Sequence, residues 1–203
     1  MRAIHLIGSS AALVASLLVN QAYAAAKIGE PAPDFRVAGA DGNAHALSDY
    51  RGRFVVLEWS NADCPFVRKH YGSGNMQALQ QQATADGVVW LTVISSAPGK
   101  QGHVDAAEAQ RLTEKRKAAP SAVLLDESGT AGRLYEAKTT PHMFLIDPEG
   151  KLVYAGAIDS TPSSDPTDIA SSKNYLKVAL DESRAGKPVS EPLTSPYGCN
   201  IKY

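Results

Sequence analysis

The thiol chemistry open to this chain rests on two residues, Cys64 and Cys199, its only cysteines. A thiolate can attack a disulfide or an oxidant, ligate a soft metal ion, or close a bridge with a second thiol. Two cysteines are too few for a four-cysteine zinc site, and in an oxidising compartment an even count favours a disulfide. Cys64 follows the apolar run 54–59 (FVVLEW) and the loop Ser60-Asn61-Ala62-Asp63, and it precedes Pro65. Proline is well tolerated in a first helical turn, so a helix starting there places Cys64 at its cap. Backbone N–H groups and the helix dipole at that position favour the thiolate, and Arg68, one turn on, adds positive charge on nearly the same face. A cysteine can also be a small buried hydrophobe. A strand–loop–Cys–Pro–helix junction argues against that, because it exposes the sulfur at the C-terminal edge of a sheet.

Glu58 lies six residues before Cys64, inside the same apolar run. A carboxyl buried there has a raised pKa, suited to moving a proton to or from a leaving thiolate; an edge-strand glutamate facing water is the alternative. Cys199 sits in Pro196-Tyr197-Gly198-Cys199, near the end of a tail expected to be mobile. It is either a resolving thiol that closes reversibly on Cys64 or half of a permanent staple. A bridge closing so long a loop stabilises by about 5 kcal/mol in the chain-entropy model.

These residues require a framework to position them. The run 54–59 reads as a central buried strand, and 88–95 (VVWLTVIS) as a second. Gly72-Ser73-Gly74 interrupts the helix that begins at Cys64-Pro65; Asn75 recaps it, and it continues to about residue 85. A helix over 105–117 has Asp105 as cap and basic residues near its end. A short strand at 123–125, a short helix at 129–137, a hairpin of 143–147 with 151–155 and a last helix at 171–185 complete the order. Residues 44–47 form a short strand, and Ser48 to Gly52 one capped turn. Alternating strands and helices imply an α/β fold, a mixed sheet with helices on both faces. Residues 187–203, with Pro188, Pro192 and Pro196, are expected to be irregular.

The 203 residues suit one domain plus a leader, and 44% apolar content supports an ordinary globular core. A formal net charge of -1 supplies no field for nucleic acid or anionic membranes, so neither is expected as a partner. Met1-Arg2, an apolar run over 6–19 and Ala22-Tyr23-Ala24 form the pattern of a secretory signal peptide over 1–24, and the run is short for a bilayer span. Export to the periplasm or beyond is the corresponding expectation, with no membrane span after cleavage.

The run VVLEWSNADCPFVRK resembles the strand, loop and active-site helix of the thioredoxin superfamily. CPFV occupies the place of the C-x-x-C motif, with Cys64 in the first cysteine's position and Val67 in the second's. Thr139-Thr140-Pro141-His142 precedes MFLID where that fold keeps a cis proline facing the active cysteine across the substrate groove. PAPDF and LSDYRG resemble the entry to the alkyl hydroperoxide reductase/thiol-specific antioxidant (redoxin) branch. With the terminal GCNIKY, the whole most resembles its peroxiredoxin-like subgroup. The resemblance implies a thioredoxin-like redoxin domain over 27–186 with an N-terminal extension. It also implies a catalytic set of Cys64, Cys199, Glu58 and Pro141, with Pro65, Arg68, Thr140 and His142 along the groove. His142 would then lie close to Cys64, to assist proton transfer or bind metal; a histidine facing solvent is the alternative. Peroxiredoxins carry P-x-x-x-T-x-x-C; here Cys64 stands at the threonine position and Val67 at the peroxidatic cysteine, so the Thr/Cys pair that orients peroxide is absent.

The leading expectation is therefore an exported thiol-disulfide oxidoreductase or peroxiredoxin-like antioxidant protein. It would act on a thiol or disulfide protein or a small oxidant, draw on an external electron donor, and need no cofactor or metal. Two other readings stand beside it. One is a thioredoxin-fold copper-binding protein using Cys64, His142 and Cys199; the other is a non-catalytic module with a structural Cys64–Cys199 bridge.

Overall fold

The computed structural model describes residues 25–203; the leader expected over 1–24 lies outside the described residues. The chain opens with an antiparallel pair, β1 (Arg36–Gly39) and β2 (Ala44–Ala46), joined through Gly42 at a φ of +84°. A 3-10 turn over Leu47–Tyr50 leads into β3 (Val55–Trp59), all five residues of which are buried. Then follow α1 (Pro65–Gly72), α2 (Asn75–Ala85), β4 (Val89–Ile94), α3 (Ala106–Arg116), β5 (Ala122–Leu125), α4 (Thr130–Leu134), β6 (Thr139–Thr140), β7 (His142–Ile146), β8 (Leu152–Gly156), α5 (Tyr175–Arg184) and β9 (Cys199–Asn200).

One seven-stranded sheet has the order β2-β1-β5-β4-β3-β7-β8. β3, β4 and β5 run parallel, as strand–helix–strand units require, while β7 pairs antiparallel with β3 and β1 with β5. This is a mixed central sheet flanked by helices, in a thioredoxin-like arrangement. β3 and its neighbours read as unbroken apolar runs because both faces are covered. On one face Val55, Leu57, Trp59, Phe144 and Ile146 pack with Tyr135 and the N-terminal segment. On the other, Val56, Trp90, Met143 and Leu145 pack against Val67 and Tyr71 of α1, Met76 of α2 and Leu176 of α5.

Most expected elements are present, with shifted ends. The last helix starts at Tyr175 rather than 171, because Asn174 caps it by accepting from the Lys177 N–H at 2.8 Å. The α1–α2 break falls at the expected glycines, yet the cap of α2 is Gly74, at a φ of +81°, rather than Asn75. Asn75 instead uses its side-chain amide to donate to Nδ1 of His70 at 2.9 Å.

The C-terminal tail departs most from expectation. It contains little regular structure, but it is docked rather than loose. The Ala155 and Thr194 amides exchange bonds with Pro192 and Ala155 carbonyls, and Ile201 N–H donates to Lys138 O at 3.1 Å. The Tyr203 hydroxyl donates to Ala137 O at 2.7 Å. No helix among the described residues is long and apolar enough to cross a membrane.

Candidate active site

The loop after β3 is shaped by Asn61. Its Oδ1 accepts the Asp63 N–H at 2.8 Å, and its carbonyl accepts the Cys64 N–H at 3.1 Å. Cys64 is the N-cap residue of α1 and Pro65 its first helical residue. The sulfur, however, does not stand open at the sheet edge: Cys64 is 1% exposed. The physical reason is the docked tail. The Thr140–Pro141 peptide is cis, and β6, ending at Thr140, pairs antiparallel with β9 so that Thr140 lies opposite Cys199. The Cys64 thiol donates to Thr140 O at 3.1 Å, and Cys199, paired opposite Thr140, packs against the same cluster. Both thiols are free, and Cys199 is the more exposed of the two.

The two sulfurs are electrostatically unequal. Burial pushes the Cys64 pKa up, but hydrogen bonds from the Cys199 thiol, Thr140 and the backbone of Val67 and Cys199 outweigh it and hold the pKa below its ordinary value. Cys199 is pushed up to about 11 by burial and by the neighbouring Cys64. Cys64 is thus the sulfur that ionises first. The Thr140 hydroxyl is buried and has no partner in the thiol state. It is placed to donate to the thiolate once the Cys64 proton has gone.

Close approach of the tail depends on Gly198, at a φ of +135°, where a Cβ would fall 2.0 Å from Thr140 O. Gly198→Ala is therefore expected to detach β9 from β6 and slow Cys64–Cys199 bridge formation by at least roughly ten-fold, because the effective concentration of the second thiol falls. Oxidation kinetics followed by quantifying free thiols checks this.

Glu58 points to the same face of the sheet as Cys64 and is fully buried. Its carboxyl accepts from Tyr71 OH at 2.9 Å, Trp90 Nε1 at 2.9 Å, Gln80 Nε2 at 3.1 Å and Thr92 Oγ1 at 3.2 Å. Burial raises its pKa against the lowering effect of these bonds. No hydrogen bond joins Glu58 to Cys64 among the described residues. A cavity of about 30 Å³, lined in part by Ser60, Tyr71, Thr92 and Arg116, adjoins this cluster, large enough for about one water.

Two groove residues stand elsewhere than expected. His142 does not approach Cys64: alternation along β7 turns it to the opposite face, where its ring packs 4.4 Å from Phe144 and its Nδ1 accepts the Lys138 N–H at 3.3 Å. Burial lowers its pKa to about 3, so it is a neutral, packed imidazole. The proposed metal set of Cys64, His142 and Cys199 is therefore not assembled, and among the described residues no group of three His, Cys, Asp or Glu side chains is placed to hold an ion. Arg68 is exposed, paired with Asp63 at 3.5 Å and donating to Ala62 O at 3.2 Å. Its charge is a minor influence lowering the pKa of Cys199, against the larger raising effect of burial.

A polar cluster that the sequence reading missed lies beside the tail. Lys69 and His70 of α1 are wholly buried and lie 3.7 Å and 3.8 Å from the Asp159 carboxyl. That carboxyl also accepts the hydroxyl of Tyr197. The run Arg68-Lys69-His70 looks like a solvated basic helix end, and the acidic partner lies far away in sequence.

Comparison with known proteins agrees with this architecture. Residues 28–155 match the AhpC/TSA family. The chain belongs to that family. Among solved structures, this AhpC/TSA member is similar to an uncharacterized conserved protein from Geobacillus kaustophilus, at 25% identity and a TM-score of 0.76, covering 87% of this chain and 92% of that one. It is also similar to a candidate thiol:disulfide interchange protein DsbE from Chlorobium tepidum, at 28% identity, a TM-score of 0.52 and coverage of 64% and 85%. The exposed lipoprotein thioredoxin of Streptococcus pneumoniae is 26% identical, with a TM-score of 0.52 and coverage of 73% and 98%. No curated protein matches the chain.

Proposed function

We propose that this AhpC/TSA-family protein is an exported thiol-disulfide oxidoreductase in which Cys64 and Cys199 cycle between dithiol and disulfide. The observation that carries the reading is the β6–β9 pairing, which sets Cys199 opposite Thr140 while Thr140 O accepts the Cys64 thiol. Structural likeness to thiol:disulfide interchange and thioredoxin proteins supports the chemistry, and the leader pattern together with an exposed lipoprotein relative supports export.

In the reductive direction the Cys64 thiolate attacks a substrate disulfide. A bond forms between Sγ of Cys64 and one substrate sulfur, and the substrate S–S bond breaks, its electron pair leaving on the other sulfur. Cys199, giving up its proton, then attacks Sγ of Cys64 and expels the second substrate thiolate. Two electrons have passed to the substrate, and the protein holds a Cys64–Cys199 bridge. An external dithiol regenerates it. Attack on the more exposed sulfur, Cys199, with the lower-pKa Cys64 as leaving group, is the favoured order. Pro141 walls the groove, while Thr140 stabilises the thiolate. Glu58 acts at one remove, as the buried acid beneath α1 that accepts or returns protons through its hydroxyl partners.

A peroxidase reading is weaker, because the position of a peroxidatic cysteine is taken by Val67, buried and without a thiol. Insulin reduction and hydroperoxide consumption, each driven by dithiothreitol, test the choice. Disulfide turnover is expected to dominate; rapid hydroperoxide turnover with no disulfide reduction would reverse the assignment. Thr140→Val probes the thiolate directly. It is expected to raise the pH midpoint of Cys64 ionisation, with little loss of stability, since only a hydroxyl unpaired in the thiol state is removed. Ultraviolet thiolate absorbance across a pH series measures it.

A further inference from the structure

The buried cluster around Asp159 has no part in the exchange steps above, yet its position is specific. Lys69 and His70 lie on the helix that Cys64 caps. Asp159 follows β8. Tyr197 is two residues before Cys199. Three segments thus meet at one carboxyl. The Lys69 Nζ, besides facing Asp159, donates to Thr161 O at 3.3 Å, and one Asp159 oxygen also accepts the Thr161 N–H at 3.1 Å. Burial lowers the His70 pKa to about 4, so its ring is neutral; because Asn75 donates to Nδ1, the proton sits on Nε2, facing Asp159 and the Tyr197 hydroxyl 3.5 Å away. The Tyr197 ring packs edge-on against Phe66 at 5.8 Å and lies under the Lys69 ammonium at 6.0 Å.

A buried ion pair of this kind is a poor source of net stability, since desolvation of both charges offsets their attraction. What it does is hold a charged acceptor in one place, and that acceptor receives the hydroxyl nearest to Cys199 in the chain. Hydrogen bonds to a charged group are stronger than neutral ones. The same tail buries Cys64, so its docking decides two things: how often Cys199 meets Cys64, and how often an outside disulfide can reach Cys64.

We propose that Asp159, held by Lys69 and His70, is the positioning residue of a tail latch: through Tyr197 it seats Cys199 on Cys64, and its release uncovers Cys64 for substrate. The inference deepens the exchange reading and rests on it for its catalytic meaning. The latch contact is made while both thiols are free, so docking is set by the Tyr197–Asp159 bond and does not require the disulfide.

Tyr197→Phe isolates the bond, because it keeps the ring on Phe66 and leaves the Lys69–Asp159 pair intact. Equilibration of the full chain with glutathione buffers is expected to show the equilibrium constant for Cys64–Cys199 bridge formation lowered at least ten-fold. Alkylation of Cys64 by iodoacetamide in the reduced protein is expected to speed up at least ten-fold, with the thermal midpoint close to the parent's. A packing role alone would move the midpoint and not these two readouts. Equilibrium constant and alkylation rate both within two-fold of the parent would overturn the latch. Should the parent itself form no Cys64–Cys199 bridge, the exchange reading fails. The alkylation arm still decides the latch: faster labelling upholds it and unchanged labelling refutes it. Asp159→Asn is expected to shift both readouts in the same direction, and Tyr197→Phe decides if that variant does not fold.

Discussion

Cys64→Ser is expected to lower insulin-disulfide turnover on the order of a thousand-fold or more, since it removes the attacking atom and nothing nearby replaces it. The only other thiol, Cys199, has its pKa pushed up to about 11, so little of it is thiolate near neutrality. The fold should survive with a change of about 1 kcal/mol, because a serine hydroxyl can still donate to Thr140 O. Cys199→Ser should behave differently. It keeps the nucleophile and removes the resolving step, so mixed disulfides at Cys64 accumulate and turnover stalls after one exchange. Mass spectrometry of acid-quenched reactions separates the two variants. Equal, parent-like turnover in Cys64→Ser would remove Cys64 from the mechanism.

The largest expected effect on stability comes from Glu58. Truncation to alanine leaves Tyr71, Trp90 and Thr92 with buried donors that have lost their acceptor, and Gln80 with only its bond to the Tyr71 hydroxyl. At roughly 1–3 kcal/mol for each unsatisfied group, offset by some relaxation, a loss of about 4 kcal/mol or more is expected, enough to unfold a marginal domain. Glu58→Gln keeps the shape and one acceptor and should lose about 1–3 kcal/mol. The pH dependence has a definite sign. Burial raises the Glu58 pKa in the folded protein, so between the unfolded and folded values the native state binds a proton that the unfolded chain releases. That contribution is fully present below the unfolded pKa and is lost as pH rises through the folded one. Urea unfolding across this window should show stability falling with pH in the parent and a flatter profile in Glu58→Gln. Identical slopes would mean that Glu58 titrates normally.

The framework of this site was readable where local chemistry dictates it. An apolar β-rich run, a polar loop and Cys-Pro could hardly be other than strand, turn and capped helix, and Gly72 and Gly74 marked the α1–α2 break. Asp105 was legible as a cap and accepts the Glu108 N–H at 2.8 Å. What escaped was set by long-range partners. Lys69 and His70 look solvated until Asp159 is brought beside them, and β1, absent from the expected elements, is fixed by its pairing with β5. Three prolines made the tail look loose; Tyr197, Ile201 and Tyr203 dock it, and each finds its partner across the fold. Exposure of Cys64 was misread for the same reason. The direction of His142 was recoverable, because strand alternation sets it on the Phe144 side and Met143 on the side of Cys64.

These features converge on one claim, that Cys64 and Cys199 form a working rather than a permanent bridge. The most direct test is the reduction potential of that bridge, measured by glutathione or dithiothreitol equilibration with peptide mapping of the linked cysteines. A Cys64–Cys199 disulfide titrating well above about -300 mV is the expected result. A bridge resistant to reduction below that value, or no bridge between these two residues, would contradict the account.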